Sequence, residues 1–484
     1  MNSIDVLIVG AGPSGLTFAI ECIRYGLKVR IIEKNESQAT YSKAIAIQAR
    51  TLETFQRMGI SKDFLSKGKK INAANIYSNK KRLAHILLDQ IPSPFPFVLS
   101  VPQNITENIL ITHLKQLGCL VERSTNLESF EENDGLIYSK TNKEIIRSKY
   151  LIGCDGAHSI IRKDLGCTFE GKLFPDIFSL ADVEIHWDLS SREVHVFLEK
   201  EAVMAAFPLP EENRYRLIFQ LKRLRNFVPK NFNVEEGIIH TEDKMLPTLA
   251  EIQSTLTTFI GKPISISNPR WIANFHINSR LSNTYRKGNI FLIGDAAHIH
   301  SPVGGQGMNT GIQDAFNLAW KIAYVNKGLT NNKNLLDSYE KERHTLGKKL
   351  LKGTEQASKL VTNHSSVFFH IRNHLISFFL SFKSIQKMIA KTLSEVTIVC
   401  GNRRMEDIMV SCNGKEQSFY SLTEGSTKFH LILFGIENAL IKNPQVDIFR
   451  VKNTSIQKAI LVRPDGYIAI EDTPPFHKIS NYKI

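Results

Sequence analysis

The segment IDVLIVGAGPSGLTFAIECIRYGLKVRIIEK, residues 4–34, carries a complete strand, turn, helix and strand pattern. An apolar strand (Ile4–Val9) precedes glycines in the spacing G-x-G-x-x-G, and a helix (Pro13–Tyr25) and a second strand (Lys28–Ile32) follow. In this context the first glycine makes the tight turn, the second admits a pyrophosphate, and the third lets the helix pack on the strand. The pattern predicts a Rossmann-like dinucleotide-binding unit in an α/β fold.

An acidic residue, Glu33, ends the second strand of this unit. A carboxylate at that place can accept hydrogen bonds from ribose hydroxyls, and it disfavours a 2′-phosphate. The residues predicted to contact the dinucleotide are Gly10, Gly12, Pro13, Ser14, Gly15, Glu33 and Lys34.

A second glycine-rich segment, GNIFLIGDAAHIHSPVGGQGMNTGIQDAFNLAWKIA, covers residues 288–323. An apolar strand (Ile290–Ile293) ends in Gly294 and Asp295, and a turn with three further glycines leads into an amphipathic helix. The aspartate can accept hydrogen bonds from the hydroxyls of a sugar or ribityl chain, and the helix start offers free N–H groups. We expect this segment and the first motif to converge on one ligand.

Together with YLIGCDGAHSIIRKDLG (residues 150–166), these motifs resemble the flavoprotein aromatic hydroxylases, the single-component monooxygenases of the p-hydroxybenzoate hydroxylase fold. The resemblance covers essentially the whole chain, and the three motifs occur in the family's order. It implies that the dinucleotide is FAD, with its ADP half on the first motif. The residues that it places at the ribityl chain and the isoalloxazine ring are Gly294, Asp295, Pro302, Gly305, Gly307, Met308 and Asn309.

The resemblance also implies cofactor contacts at five other positions. Arg50 begins a predicted helix, and Lys43 stands where the family usually has arginine, so the charge is kept but the fork geometry is lost. Gln103 opens another helix, and Asp155 with Gly156 would serve the FAD-bound state and the path of NAD(P)H. The alternatives are a surface salt bridge for Arg50, an ordinary helix start for Gln103 and a structural turn for Asp155.

The reaction that the resemblance implies is hydroxylation of a phenolic or polycyclic aromatic compound through a flavin C4a-hydroperoxide, with NAD(P)H and O₂ as co-substrates. Pro302 would border the oxygen site with a rigid φ and no N–H group. No side chain is assigned as a base. His186, Tyr215 and Arg216 are candidate substrate residues, and polar positions of a half-solvated sheet are the alternative for them. A flavin-dependent epoxidase, a Baeyer-Villiger-type oxygenase, a dehydrogenase and a redox-vestigial FAD-binding protein are the other functional interpretations.

We expect a discontinuous FAD-binding domain, an inserted antiparallel β-sheet substrate domain and a helical bracing region. The segment ILVRPDGYIA (residues 460–469) resembles the C-terminal thioredoxin-like domain of the phenol and polyketide hydroxylase branch of this family, which implies such a domain here. That last domain has no C-x-x-C and therefore cannot exchange dithiols, so it is interpreted as a packing or oligomerisation module. The strands HLILFG (430–435) and AILVRPDGYIAI (459–470) are expected to be buried in it. The expected limits are 1–72, 97–170 and 278–330 for FAD binding, 73–96 and 171–277 for substrate, 331–395 for bracing and 396–484 for the last domain.

Composition narrows the class of protein. The net charge of +14 comes from Lys and Arg residues that are scattered along the chain and form no basic arm. Nucleic-acid binding is therefore not expected, whereas the positive charge is expected to attract anionic NAD(P)H. The six cysteines have no metal-ligand spacing. His298 and His300, which flank the glycine turn, are expected to cap or pack rather than bind a metal. The N-terminus is a Rossmann strand rather than a signal peptide, which favours a cytoplasmic protein; a homodimer stays open.

The segment SVFFHIRNHLISFFLSFKSIQKMIAKTL (residues 366–393) is the most apolar candidate for membrane contact. Arg372, His374, Lys383 and Lys387 interrupt it, so a transmembrane span is not expected. Its helical periodicity favours a helix packed on the core, and a helix lying on a membrane surface is the alternative.

Overall fold

The strand, turn and helix at the start of the chain form where the glycine motif predicts them. They belong to a computed structural model that describes residues 3–39, 42, 44–200, 202–220, 238–239, 246–301, 304–362, 366–412, 415–436, 441, 443–451, 454, 456–480 and 482. The first strand is β1 (Ile4–Val9), and the helix is α1 (Pro13–Arg24). The predictions for Pro302 and Lys43 lie outside the described residues.

The elements that follow α1 build most of the first sheet. In chain order they are β2 (Val29–Ile32), β3 (Ala46–Ile47), α2 (Ala49–Arg57), α3 (Ser61–Lys67), β4 (Lys69–Ile71), β5 (Ala73–Ser78), β6 (Lys81–Leu87), β7 (Val98–Ser100), α4 (Gln103–Gln116), β8 (Val121–Glu122), β9 (Leu127–Asn133), β10 (Leu136–Thr141), β11 (Ile145–Gly153) and α5 (Ile160–Asp164). Strand β1 lies between β2 and β11, and all three are parallel. Because parallel strands are covered on both faces, their interior positions, such as Leu7 and Ile152, are fully buried.

The next region forms a second, largely antiparallel sheet. Its elements are β12 (Phe169–Ile185), β13 (Glu193–Leu198), β14 (Val203–Pro208), β15 (Arg214–Phe219), β16 (Ile238–Ile239), α6 (Leu249–Ile260) and β17 (Ile266–Ser282). Strands β5 and β6 join this sheet, with β5 parallel to β13. The 17-residue strands β12 and β17 pair over most of their length, from Phe169↔Ser282 to Ile185↔Ile266. The two domain limits expected at 170/171 and 277/278 therefore fall inside continuous strands.

Helix α6 interrupts residues 171–277, the region expected to form an antiparallel β-sheet. The helix begins at a capping box, in which the Thr248 side chain accepts from the backbone N–H of Glu251 and the Glu251 carboxylate accepts from that of Thr248. It ends at Gly261, which has a φ of 80°. These are ordinary start and stop signals for a helix, and they were available in the sequence. Ile252, Leu256 and Phe259 bury the inner face of the helix against the second sheet.

The chain then returns to the first sheet and continues into a series of helices. These elements are β18 (Arg286–Lys287), β19 (Ile290–Leu292), a 3₁₀ turn (Gly294–Ala296), β20 (His298–Ile299), α7 (Gly307–Asn326), α8 (Asp337–Thr362), α9 (Ser366–Ser381) and α10 (Lys383–Leu393). Strand β19 pairs in parallel with β11, next to β1. Helix α7 packs along α1. The first sheet and these helices share one hydrophobic core.

Helices α9 and α10 pack only partly on the core. Leu380 and Ala390 are buried in the main core, and Ile376, Ile385 and Ile389 are half-buried against it. The expected packed helix is thus confirmed for one face, while several large apolar side chains of the same segment are exposed. In the described part of the chain, no helix combines the length and the apolar character needed to cross a membrane.

A third sheet lies at the C-terminal end of the described chain. Its elements are β21 (Met409–Cys412), β22 (Lys415–Ser418), α11 (Phe419–Leu422), β23 (Phe429–Phe434), β24 (Val446–Val451), β25 (Lys458–Val462), β26 (Ile468–Asp472) and α12 (His477–Ser480). Residues 459–470, expected as one strand, are a hairpin: β25 and β26 pair antiparallel, and Arg463–Tyr467 form the turn. A proline followed by Asp-Gly favours a turn over a continuous strand. The described part of the chain is thus a mixed α/β fold with three main sheets.

Candidate functional site

The first glycine motif forms a close-packed turn with one open position. A Cβ on Gly15 would lie 2.1 Å from the carbonyl oxygen of Gly10, and a Cβ on Gly10 would lie 2.3 Å from the carbonyl oxygen of Cys154. A Cβ on Gly12, by contrast, would meet no atom within 4 Å. Gly12 is also the N-cap of α1, and no side chain caps this helix end. The motif therefore leaves space and free N–H groups where an anionic group can approach.

Glu33 lies directly beside this turn. Its Oε2 accepts a hydrogen bond from the backbone N–H of Ala11 at 3.0 Å, and its Oε1 accepts from the backbone N–H and the side chain of Asn35 at 3.0 and 2.8 Å. The carboxylate is half-buried, whereas the neighbouring Lys34 is exposed. Glu33 is thus positioned by the glycine loop itself.

The two glycine motifs meet at Ser14. A Cβ on Gly294 would lie 2.6 Å from Ser14 Oγ, and a Cβ on Gly311 would lie 2.4 Å from the same oxygen. Gly294 has a φ of 61°. These close approaches bring the start of α1, the end of β19 and the first turns of α7 together, so the three elements form one cradle. Asp295 is exposed at the edge of this cradle.

Asn309 holds the glycine turn against the strand β3. Its Oδ1 accepts from the backbone N–H of Gln48 at 2.9 Å, and its Nδ2 donates to the carbonyl oxygens of Ala46 at 2.8 Å and Gly305 at 2.7 Å. The Gln48 side chain donates to the carbonyl oxygen of Gly304 at 3.0 Å. The side chain of Asn309 is therefore committed to backbone groups. No local sequence pattern indicates that Gln48 lies against a turn about 260 residues away.

The start of α7 offers a second uncapped helix end. Its N-cap is Gln306, and no side chain caps it. A Cβ on Gly307 would meet no atom within 4 Å, and Met308 is half-buried. The first N–H groups of a helix have no partner within the helix. This end can therefore interact with a partly negative group on a flat ligand.

Asp155 and Gly156 lie where β11 ends. The Asp155 Oδ2 accepts from the backbone N–H groups of Ile160 and Ile161 at 2.8 and 3.3 Å, which stabilises the start of α5. Its other carboxylate oxygen, Oδ1, is buried without a described partner. Gly156 has a φ of 78° and open space around a Cβ. The structural role of Asp155 is thus visible, and its cofactor role stays a prediction.

Gln103 joins α4 to the segment near residue 44. Its backbone N–H donates to Ser42 Oγ at 2.6 Å, its Oε1 accepts from the backbone N–H of Ala44 at 3.2 Å, and its Nε2 donates to Glu107 at 2.9 Å. The half-buried side chain therefore orders the approach to β3.

Arg50 is buried at the contact between α2 and the C-terminal sheet. Its guanidinium donates to Glu53 Oε2 at 2.9 Å and to the carbonyl oxygen of Asp465 at 2.7 Å, and it lies 4.7 Å from the ring centre of Tyr467. Among the described residues these contacts link two parts of the protein. A contact with the cofactor stays a prediction.

A buried network of charged side chains, centred on Asp314, supports the backbone of the glycine turn, and the sequence gives no sign of it. Asp314 accepts from His298 Nε2 at 2.6 Å, from the backbone N–H of Gly294 at 3.3 Å and from Arg343. Arg343 also donates to the carbonyl oxygen of Thr310 at 3.1 Å. Burial opposes ionisation of Asp314, but Arg343 and His298 outweigh it and hold the pKa of Asp314 below its usual value. The i, i+16 spacing of His298 and Asp314 gives no local signal of this pair.

His298 and His300 stack with their ring centres 4.7 Å apart. Burial and the adjacent His298 hold the pKa of His300 well below its usual value, so this ring is neutral. Among the described residues no group of three or more His, Cys, Asp or Glu side chains is arranged to hold a metal ion.

Glu395 is a second buried acid near the turn. Its Oε2 accepts from Gln313 Nε2 on α7, and burial raises the pKa of Glu395 to about 8. The preceding residues connect it to the turn, since a Cβ on Gly304 would lie 3.4 Å from Leu393 Cδ2. The backbone N–H of Arg50 donates to the carbonyl oxygen of Ser394 at 3.2 Å.

The candidate substrate residues are not brought together. His186 is exposed just beyond the end of β12. Tyr215 is buried on the face of the second sheet that α6 covers, with its ring 4.9 Å from that of Trp187. Arg216 points to the other face, where it pairs with both carboxylate oxygens of Asp182 at 2.7 Å. Their roles toward a substrate stay predictions.

The face of the second sheet that α6 does not cover carries a cluster of hydrophobic side chains, and we call it the apolar sheet face. Phe178, Leu198, Val203 and Ile277 form its buried cluster, and Ile218, Phe275 and Ile376 pack against it. Phe178 and Phe275 are stacked with ring centres 6.0 Å apart. Helix α9, which provides Ile376, is followed by α10, which reaches the glycine turn at Leu393.

These features fit a flavin dinucleotide. The cradle combines open space over Gly12, two uncapped helix ends, and the carboxylates of Glu33 and Asp295 beside them. A pyrophosphate needs the N–H groups and the space, and ribose or ribityl hydroxyls need the carboxylates.

Comparison with known proteins gives consistent findings. A family model described as an FAD binding domain matches residues 3–354. An uncharacterized aromatic compound monooxygenase of Bacillus subtilis (strain 168), YhjG, is 30% identical over 495 residues, which cover 97% of this chain and 94% of that protein. The rifampicin monooxygenase of Streptomyces venezuelae is 29% identical and covers 96% of this chain and 94% of its own.

A solved structure shares the fold over nearly the full length. The anhydrotetracycline hydroxylase OxyS from Streptomyces rimosus superposes with a TM-score of 0.79 at 25% sequence identity. The superposition covers 98% of this chain and 97% of that one.

Proposed function

The chain belongs to the FAD-binding domain family of flavoprotein monooxygenases, and on that premise we propose that it hydroxylates a phenolic or polycyclic aromatic compound. NAD(P)H and O₂ are the co-substrates. The observation that carries the proposal is the convergence of the two glycine motifs on Ser14, which builds a single split dinucleotide cradle. An ordinary nucleotide-binding domain needs only the first of these motifs.

Different residues of the chain bind different parts of the flavin cofactor. The N–H groups at the start of α1 bind the pyrophosphate over Gly12, and Glu33 binds the ribose. Asp295 accepts hydrogen bonds from the ribityl hydroxyls. The start of α7, at Gly307, directs its N–H groups at the ring and stabilises negative charge there. The bound FAD supplies electron transfer from NAD(P)H and the activation of O₂.

Asn309 and Asp314 act on this site indirectly. Asn309 fixes the glycine turn to β3, and Asp314 fixes Gly294, so both hold the ring-binding backbone in place. A preorganised donor costs no reorganisation during the reaction. We do not assign a catalytic base to any side chain.

The apolar sheet face is the proposed substrate surface. The half-buried Ile218 and Phe275 offer contact area to an aromatic ring, and the buried Phe178 beneath them keeps water away from the reacting centre. The similar proteins include a rifampicin monooxygenase and an anhydrotetracycline hydroxylase, which supports a polycyclic aromatic substrate for this chain. The position of hydroxylation depends on the pose of the substrate on this face.

The C-terminal region is proposed to be a thioredoxin-like packing module without dithiol chemistry. Strands β23 and β24 are parallel, and β25 and β26 form an antiparallel hairpin beside β23, which supports this assignment. A cytoplasmic location fits an enzyme that consumes NAD(P)H. A homodimer is tested by light scattering of the purified protein.

The test is turnover of the purified, yellow holoprotein with phenols and fused-ring phenolic compounds. We expect faster NAD(P)H oxidation with an accepted substrate and a product heavier by one oxygen atom, which excludes dehydrogenation. The Gly12→Val variant, whose side chain would occupy the pyrophosphate space, is the control and should bind no FAD. Wild-type protein that never takes up FAD would refute the proposal, and so would a product without added oxygen.

A further inference from the structure

Helix α9 carries an apolar stripe that no described part of the chain covers. Leu375, Phe378, Phe379 and Phe382 are 48, 59, 47 and 46% exposed, and Met388 on α10 is 60% exposed. Leu375, Phe378 and Phe379 follow the i, i+3, i+4 spacing within α9, which places them on one face. Phe382, the N-cap of α10, continues the stripe beyond the end of α9. Phe378 packs edge-on against both Phe379 and Phe382, with ring centres 5.5 and 5.2 Å apart. Such a continuous exposed patch is unusual on a soluble protein surface and marks an interaction site.

The opposite side of the same helices is anchored to the protein. Asn373 Nδ2 donates to Ser78 Oγ at 2.8 Å, and Leu380 and Ala390 are buried in the core. Helix α10 is 11 residues long and ends at Leu393, next to the glycine turn. The exposed stripe therefore belongs to helices that border both the apolar sheet face and the proposed flavin site.

The charge of this segment has one sign. From residue 356 to residue 394 the sequence contains five Lys and Arg residues and no Asp or Glu. Lys383 and Lys387 are exposed beside the stripe, and so is His374. Exposed phenylalanines flanked by lysines fit a surface that is both apolar and anionic, which is the chemistry of an anionic lipid headgroup layer.

We propose that the stripe formed by Leu375, Phe378, Phe379, Phe382 and Met388, together with Lys383 and Lys387, docks the protein on the surface of an anionic lipid membrane. The phenylalanines enter the headgroup and acyl boundary while the lysines contact lipid phosphates. The helices lie in the plane of the interface, since none in the described part of the chain is able to cross a membrane. Docking brings the apolar sheet face close to lipid, from which an apolar aromatic substrate can reach it.

A second copy of the chain would explain the apolar side chains but not the charge. Two copies placed stripe to stripe would bring Lys383 and Lys387 of each close to those of the other, and like charges repel. An anionic lipid layer gains from the same lysines. Charge therefore favours the membrane as the occupant.

The test is flotation of the holoprotein with phosphatidylcholine vesicles that contain or lack phosphatidylglycerol. We compare wild type with Phe378→Ser/Phe382→Ser, with Lys383→Gln/Lys387→Gln, and with Leu120→Ser/Ile456→Ser, which replaces apolar residues 65 and 58% exposed outside the stripe. The replaced side chains are exposed, so flavin absorbance should be unchanged in all of them.

Wild type and the Leu120/Ile456 control should float with the anionic vesicles. The phenylalanine variant should lose roughly tenfold or more in partitioning, and each lysine removed should weaken it about fivefold at low salt. Wild-type protein that stays unbound would overturn the proposal, as would patch variants that bind like wild type. A dimer that dissociates in the phenylalanine variant, with no vesicle binding by wild type, would assign the stripe to a second copy instead. Because flotation does not need turnover, failure here leaves the proposed oxygenase activity standing.

Discussion

At the scale of single residues, Gly12 and Gly15 provide a matched pair that separates ligand binding from folding. Gly12 has a φ of −75°, which any residue adopts, and space around its Cβ position. Gly12→Ala should therefore leave the unfolding free energy of the apoprotein unchanged and weaken FAD binding, because the new methyl group occupies the pyrophosphate space. Urea unfolding of the apoprotein and fluorescence titration with FAD measure the two effects.

Gly15→Ala is the counterpart and should act on folding. Its Cβ would lie 2.1 Å from the carbonyl oxygen of Gly10, so α1 has to move away from β1. Overpacking of this kind costs about 1–3 kcal/mol or more. If both variants lose apoprotein stability equally, the space over Gly12 is not a ligand site.

Glu33 offers a direct test of the ribose-binding prediction. Glu33→Ala removes the acceptor that faces Ala11 and should weaken FAD affinity about 10- to 100-fold, the usual range for a hydrogen bond to a charged group. The exposed Glu36 lies nearby, and Glu36→Ala is the control. Equal FAD dissociation constants for the two variants would show that Glu33 only orders its own loop.

Glu395 gives the protein a pH dependence with a defined sign. Burial raises the pKa of Glu395 from 4.5 to about 8, so the folded state keeps a proton that the unfolded state releases. The contribution of this bound proton to the free energy of unfolding is complete below pH 4.5 and is lost as the pH rises toward 8. Over most of this range the free energy of unfolding falls by about 1.4 kcal/mol per pH unit. Glu395→Gln should remove this slope, which urea unfolding at several pH values measures. A wild-type slope that persists in the variant would assign it to other groups.

At the scale of helices and strands, the sequence predicts those elements that are determined by residues within the same short segment. The β1 strand and the start of α1 form at the predicted residues, because strand hydrophobicity, the glycine spacing and Pro13 act within one segment. The apolar ends of residues 459–470 favour a single strand, but Pro464 and Gly466 lie in the turn of a hairpin. The convergence of the two glycine motifs on one ligand is predicted from the motifs themselves, and the resemblance adds that this ligand is FAD.

The supports of the glycine turn could not be predicted from local patterns. Gln48 and Asn309 are 261 positions apart, and Glu395 lies 82 positions from Gln313. Each of these residues is an ordinary polar residue when its neighbours in sequence are considered alone. Their roles depend on which elements the tertiary fold brings together.

Asn309 tests how strongly α7 and β3 are joined. Asn309→Ala leaves the backbone N–H of Gln48 and the carbonyl oxygen of Ala46 without this partner inside the protein. We expect a loss of about 2–4 kcal/mol in unfolding free energy together with weaker FAD binding, since the turn loosens. Asn326→Ala, at the far end of α7, is the control and should retain normal FAD affinity. Normal FAD affinity in Asn309→Ala would show that the turn does not shape the flavin site.

At the scale of the whole molecule, a buried charged cluster joins the FAD-binding part to the C-terminal sheet. Glu342 on α8 pairs with Lys321 on α7 at 3.0 Å and with Arg463 at 2.7 Å, and Asp465 accepts from Asn317 at 2.8 Å. Burial opposes ionisation of Glu342, but Lys321 and Arg463 outweigh it and hold its pKa at about 2. Burial lowers the pKa of Lys321 to about 8. The C-terminal sheet is thus built into the core through α7, the helix whose start faces the flavin site.

Because of this coupling, we predict that a destabilising substitution in the turn of the C-terminal hairpin also weakens retention of FAD during unfolding. The carboxylate of Asp465 accepts from Arg463 Nε at 2.9 Å and Nη2 at 2.7 Å, as well as from Asn317. Asp465→Ala removes one partner of a buried ion pair, which costs about 3–5 kcal/mol. Urea unfolding followed by tryptophan fluorescence and by FAD release should then shift together to lower urea.

Asp447→Ala is the matched control for this change. Asp447 lies in the same sheet, and its ion pair with Lys428 is more than one-third exposed; such pairs contribute about 0–1 kcal/mol. We therefore expect both unfolding curves of this variant to coincide with those of wild type. If Asp465→Ala shifted the tryptophan signal while FAD release stayed at the wild-type urea concentration, the C-terminal sheet would be an independent unit. Coincident shifts would show that the sheet, although it contributes no C-x-x-C chemistry, is required to hold α7 in the position that binds the flavin.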